Sequence, residues 1–243
     1  MWKSPSEGLI NIQKLKLDFL VAHLKKGIPF SFARYGDGEW HAILGDEGEN
    51  CDGHKYFKKM GQELSESLKT PFLHGIIPAV SREIGESRVQ SYLESIGLPD
   101  KTWCDGNIFV DALKSGELRS LVEVLRTKRF IYVGPRFLTT FCYEVLGVAL
   151  MIKIPQVNCY LRNQHTETII REVSHTTGVE VIGFSASMAT NCLIANLYPD
   201  FGRTTTMLDF GSIFDPFPSR GRRCRNYQKT LDREKLSELN FGG

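Results

Sequence analysis

Three short runs in the second half of the chain, "RFIYVG", "VEVIGFS" and "TTTMLDFG", gather β-branched and aromatic residues and then stop at small or polar ones. Each reads as a buried strand, and the apolar spacing at about 137–146, 167–176 and 189–197 fits helices between them. "MIKIPQVN" adds a further strand. Parallel strands require long crossover connections, so the alternation predicts an α/β fold with a mostly parallel sheet flanked by helices.

The first half reads less regularly. Apolar residues at Ile10, Ile12, Leu15, Phe19, Leu20 and Leu24 predict an amphipathic helix, closed by Lys25, Lys26 and Gly27. A strand follows at about 29–34, then an acidic turn, a short helix from about 39, a loop over 45–53 and a helix over 55–69. "PFLHGII" has the look of a buried strand, and 82–96 and 107–126 look helical. No internal repeat, low-complexity stretch or Pro/Gly/Ser-rich linker divides the chain, so residues 1–243 form one domain with a basic C-terminal extension at about 219–243.

Composition narrows the function. A net charge of +2 is too slight to mark the whole surface for a polyanion. The N-terminus lacks the apolar core of a signal peptide, and no window approaches the eighteen or so apolar residues of a membrane span, which makes a cytoplasmic location the expectation. Six scattered cysteines without Cys-x-x-Cys fit reduced thiols rather than a disulfide framework. Cys51 and His54 have a ligand-like spacing, but without a second pair they read as loop residues rather than a zinc site.

In open α/β sheets, ligands gather beyond the carboxyl ends of the strands. The residues predicted there are Tyr35-Gly36-Asp37-Gly38-Glu39, Gly134-Pro135-Arg136, Asn163-Gln164-His165, Ser185-Ala186-Ser187 and Asp209-Phe210-Gly211-Ser212. Asp37 and Glu39 can supply hard oxygen ligands to Mg²⁺ or Mn²⁺, which bind through one or two carboxylates plus substrate phosphates. Equally, Asp37 can cap the next helix while Glu39 favours its dipole. Ser185 and Ser187 can meet a phosphate at a helix start, or Ser187 can simply cap that helix. Arg136 and His165 fit either a ligand contact or an ordinary polar surface. There is no Gly-x-Ser-x-Gly elbow and no Cys-His signature, which argues against acyl transfer.

The stretch "FARYGDGEW" resembles the Arg-Tyr-Gly-Asp-Gly-Glu signature, with its Asp-x-Glu motif, of the GT-D glycosyltransferases, a bacterial family first catalogued as a domain of unknown function. Looser matches run through "FIYVGP", "KIPQVNCY", "SASMATNCLIANL" and "MLDFGSIFDPF". The resemblance implies a Rossmann-like α/β domain. It also implies metal-dependent sugar transfer, with Mn²⁺ or Mg²⁺, from a nucleotide sugar, often a UDP-sugar, to a glycan, glycoprotein or other hydroxyl acceptor. Asp37 and Glu39 match the metal and donor-diphosphate motif; Arg34, Tyr35 and Gly36 belong to the same signature, and Gly134, Arg136, Ser185 and Ser187 fall where a donor pocket is expected. One departure is "FSASM", where family members often carry a glycine-rich turn. Asp209, Asp215 and His165 are candidates for a general base.

Two other functions fit the same residues. The carboxylates can activate water in a nucleotide-sugar or phosphate hydrolase. Alternatively Arg220, Arg222, Arg223, Arg225 and Lys229, beside Tyr227, can bind nucleic acid or an anionic glycan without catalysis, or form a solvated tail.

Overall fold

The computed structural model of the chain describes residues 10–218; the basic stretch at 220–229, read above as an anion-binding segment or a solvated tail, lies outside them. Eight strands form a single sheet: β1 (Ile12–Gln13), β2 (Ser31–Tyr35), β3 (Leu73–Ile76), β4 (Trp103–Asp105), β5 (Phe130–Pro135), β6 (Leu150–Ile154), β7 (Val181–Phe184) and β8 (Thr206–Asp209). Their spatial order is β1-β4-β3-β2-β8-β7-β5-β6, and every pairing is parallel. The last strand in the chain thus occupies the middle of the sheet, joining β2 on one side to β7 on the other.

The helices are α1 (Leu17–Lys26), α2 (Asp37–Ile43), α3 (Lys58–Ser67), α4 (Ala79–Glu83), α5 (Glu86–Ser95), α6 (Ile108–Ser115), α7 (Leu118–Leu125), α8 (Thr139–Phe141), α9 (Asn163–Thr177) and α10 (Ala189–Phe201). Two apolar layers sandwich the sheet. Alternate residues of β2 divide between them, with Phe32 in the layer with α1, α6 and α7, and Ala33 and Tyr35 in the layer with α2, α3 and α10. Both faces being covered explains why the strands read as nearly continuous apolar runs.

Several elements differ from expectation. The predicted first helix begins only at Leu17, because Ile12 and Gln13 pair with Trp103 and Cys104 at the sheet edge. Strand β4 lies between the stretches 82–96 and 107–126, where the sequence reading has no strand. The helical stretches 82–96 and 107–126 each divide in two at glycines with left-handed φ, Gly85 (89°) and Gly116 (82°). Helix α9 starts at Asn163, so Asn163-Gln164-His165 is its first turn and not a loop at a strand end. The four buried cysteines of the described region and exposed Cys51 are all free thiols.

Candidate active site

Strand β2 ends at Tyr35, and the chain turns at once into α2, whose first residue is Asp37. Glu39 reaches back so that Oε2 accepts the Gly36 N–H at 2.8 Å, which satisfies an amide that the helix start leaves unpaired. The capping role therefore belongs to Glu39. Asp37 has no hydrogen-bond partner for its carboxylate among the described residues and borders a cavity of about 1100 Å³ at the carboxyl ends of the strands. Burial pushes Glu39 up to about 7; the Gly36 amide pulls against this, and the nearby charges of Asp209 and Asp37 add to the rise.

Arg34 and Asp209 lock the two central strands together beside this turn. Asp209 Oδ2 accepts the Arg34 backbone N–H at 3.0 Å and the Arg34 Nε–H at 3.2 Å, while Oδ1 accepts from Nη2 at 3.4 Å and from the Gly211 N–H at 2.9 Å. Asn191 of α10 adds a bond from Nδ2 to the Arg34 carbonyl at 2.9 Å. Gly211 has a left-handed φ of 53°, and a Cβ there would overlap the Arg34 guanidinium. Glycine is required at that corner on both counts. With its acceptor sites turned to Arg34 and Gly211, Asp209 is an anchor for Arg34 and is poorly placed to take a proton from an acceptor.

The strand-end serines also have fixed partners. The Ser185 hydroxyl donates to the Gly211 carbonyl and hydrogen-bonds the Tyr132 hydroxyl, tying β7, β5 and the turn after β8 together. Ser187, with a left-handed φ of 50°, does not cap α10; its Oγ accepts from Asn50 Nδ2 at 2.9 Å. Both serines nevertheless line the cavity.

Of the residues singled out from sequence, Arg34, Gly36, Asp37, Glu39, Ser185, Ser187, Asp209 and Asp215 surround one cavity. Four do not. Tyr35 is fully buried on the opposite face of β2, where its hydroxyl meets Ser67 Oγ at 2.7 Å, because consecutive strand residues point to opposite sides. Gly134 is buried, and a Cβ there would press on Tyr132 rather than a ligand. Arg136 is exposed outside the lining, although its neighbours Pro135 and Phe137 belong to it. His165 is exposed in the first turn of α9, also outside the lining.

Sequence reasoning missed the polar residues that complete the walls: Glu49, Asn50 and Asp52 from the loop after α2, Asn107 and Lys114 around α6, and Gln156 after β6. Cys51 and His54 lie in that loop and face the cavity as well. Asn50 and Ser187 carry no pattern that would pair them across the chain. Six carboxylates line the cavity, from Asp37, Glu39, Glu49, Asp52, Asp209 and Asp215, against the cations Arg34 and Lys114. Among the described residues no group of three or more His, Cys, Asp or Glu side chains converges as a ready metal cage. Two hard carboxylates, one without a partner, instead fit a Mg²⁺ or Mn²⁺ ion whose remaining ligands come from a phosphate-bearing substrate and water.

No family model and no curated protein matches the sequence. Solved structures that match the fold include two of one domain. One is a selenomethionine-substituted structure of domain of unknown function 1792, with a TM-score of 0.61 and 16% identity over 86% of this chain and 83% of that one. The other, of the same domain and described as having a distinct glycosyltransferase fold, gives a TM-score of 0.59 at 16% identity over the same shares. Among the described residues no helix is long and apolar enough to cross a membrane. An all-parallel eight-stranded sheet, its cavity at the strand ends and these two likenesses converge: the chain shares the α/β fold seen in domain of unknown function 1792.

Proposed function

We propose that the cavity binds a nucleotide-sugar donor, a UDP-sugar in the first instance, together with Mg²⁺ or Mn²⁺, and transfers the sugar to a hydroxyl of a glycan or glycoprotein. The observation that carries this is the pairing of Asp37, whose carboxylate has no hydrogen-bond partner among the described residues, with Glu39 at a cavity crowded with carboxylates. A dianionic diphosphate placed among those charges is repelled unless cations accompany it. Asp37 and Glu39 would hold the ion, which when bound supplies Lewis-acid stabilisation to the departing diphosphate.

The rest falls to the chain's own groups. Arg34, oriented by Asp209, is held beside the carboxylate turn, where a guanidinium suits phosphate oxygens. Ser185 fixes the floor between β7 and β8 and leaves little spare capacity for a phosphate contact. Asp215 lines the cavity and is the best placed of the three base candidates, since Asp209 is committed to Arg34 and His165 lies outside.

A screen of nucleotide sugars with Mn²⁺, reading nucleotide release with and without a panel of glycan and peptide acceptors, tests the assignment. Release that accelerates with one acceptor and produces a glycosylated product is the expected outcome. Release at one rate in every case, yielding only free sugar, would make the protein a hydrolase.

A further inference from the structure

The loop between α2 and α3 is a folded unit with one organiser. Asn50 Oδ1 accepts the backbone N–H groups of Asp52 and His54, both at 3.0 Å, while the Asn50 main chain exchanges bonds with the His54 carbonyl and the Gly53 amide. Glu49 and Lys55 bridge the base of the loop, and the Lys55 amide is held by Asn158 Oδ1 at 2.9 Å. Its tip, Cys51 to His54, lines the same cavity as Asp37 and Glu39.

Beside the Lys55–Asn158 bond and a long contact from His54 Nδ1 to Cys159 Sγ at 3.9 Å, a bond from Asn50 Nδ2 to Ser187 Oγ at 2.9 Å ties this unit to the wall that carries Ser187. The same side chain lies against the carboxylate turn, where a Cβ on Gly38 would come within 3.3 Å of Asn50 Cβ. Ser187 reaches Asn50 from a left-handed backbone (φ 50°), a conformation that is costly for a non-glycine residue. The strained turn thus aims its hydroxyl at the loop and not at the helix it precedes.

From this geometry we infer that Asn50 is a positioning residue: latched to Ser187, it holds the 49–55 loop as the wall that decides whether water or the acceptor hydroxyl meets the anomeric carbon. The inference rests on the transferase reading given above. In transfer and in hydrolysis alike, the bond from the anomeric carbon to the diphosphate oxygen breaks and the nucleotide leaves with the electron pair. The incoming O–H forms the new C–O bond and gives its proton to solvent or a cavity base. Only the source of that O–H differs, and a wall fixed at the reacting end excludes the smaller and more abundant competitor.

Ser187→Ala cuts the latch while leaving every bond inside the loop and the left-handed turn intact, whereas Asn50→Ala removes the latch and the loop's internal turn together. In the full chain with Mn²⁺, donor and acceptor, the ratio of free sugar to transferred sugar is expected to rise about fivefold in Ser187→Ala, the worth of one hydrogen bond, and further in Asn50→Ala. Hydrogen exchange at the Asp52 and His54 amides, measured without any ligand, is expected to speed up in the same order. A general loss of stability would lower both products together and leave their ratio alone.

Wild-type protein that releases no nucleotide from any sugar donor would sink the transferase reading, and the wall's role with it, while the exchange data would still report whether the latch holds the loop. Wild-type turnover with an unchanged product ratio in both variants would overturn the positioning role alone.

Discussion

Asp37 and Glu39 sit two residues apart and have different mechanical duties. Glu39 holds the start of α2 through the Gly36 amide, whereas Asp37 holds nothing within the described structure. Asp37→Asn is therefore expected to leave stability within about 0.5 kcal/mol while lowering metal-dependent turnover about a hundredfold; thermal unfolding and nucleotide release measure the two. Turnover close to wild type in that variant would remove Asp37 from the ion.

The raised Glu39 carboxyl sets a pH dependence. Its native value of about 7 lies above its ordinary 4.5, so between those values the native state keeps a proton that the unfolded state has lost. Its contribution to stability is accordingly largest below 4.5 and is lost as pH rises to about 7. A metal ion competes with the same proton, so Mn²⁺ affinity should climb from pH 5 and level off above 7. Calorimetric titrations at several pH values check this, and an affinity flat between pH 5 and 7 would place the ion elsewhere. Both carboxylates could be put at the end of β2 from sequence because the Gly-Asp-Gly-Glu turn advertises itself. Sequence could not place Asn50, whose side chain bonds a partner 137 positions away.

Helix α3 lies on α2 at Gly61, where an added Cβ would overlap the Ala42 carbonyl. That contact lets the helix bearing Asp37 and Glu39 seat against a neighbour with no side chain between them. Gly61→Ala is expected to cost roughly 2–3 kcal/mol by overpacking and to weaken Mn²⁺ binding by shifting α2, although residue 61 touches no ligand. Denaturant unfolding and calorimetry read the two effects, and a shift in stability alone would mean that α2 stays put.

The same element scale shows where sequence patterns stop being informative. Strands β2, β5, β7 and β8 were legible because their apolar runs end at small or polar residues. Strand β1 has two residues and β4 has three, too few for a period of two to emerge against the helical spacing around them. The divided helices around Gly85 and Gly116 keep one apolar face across the break, so periodicity alone reads each pair as continuous.

At the scale of the whole molecule, a chain of net charge +2 presents a cavity with six carboxylates and two cations among its described lining residues. Overall charge therefore says nothing about the site. Free UDP is expected to bind weakly or not at all in EDTA and to gain at least about tenfold in affinity with Mn²⁺, the equivalent of about 1.4 kcal/mol. Equal affinity in both conditions, by calorimetry, would mean that cations of the chain itself neutralise the diphosphate.

The place of β8 has a consequence for how the protein comes into being. Everything from β1 through β7 is synthesised before the strand that joins β2 to β7, and Arg34 waits for Asp209 across 175 positions of sequence. A nascent chain halted before Thr206 would carry the complete Arg-Tyr-Gly-Asp-Gly-Glu signature on a sheet still in two pieces, with two strand edges open to misplaced pairing. Closure by so distant a strand makes folding slow and late. On the ribosome the charged cavity would form only as the last described strand slots into the gap, so the signature is translated long before the cavity around it exists.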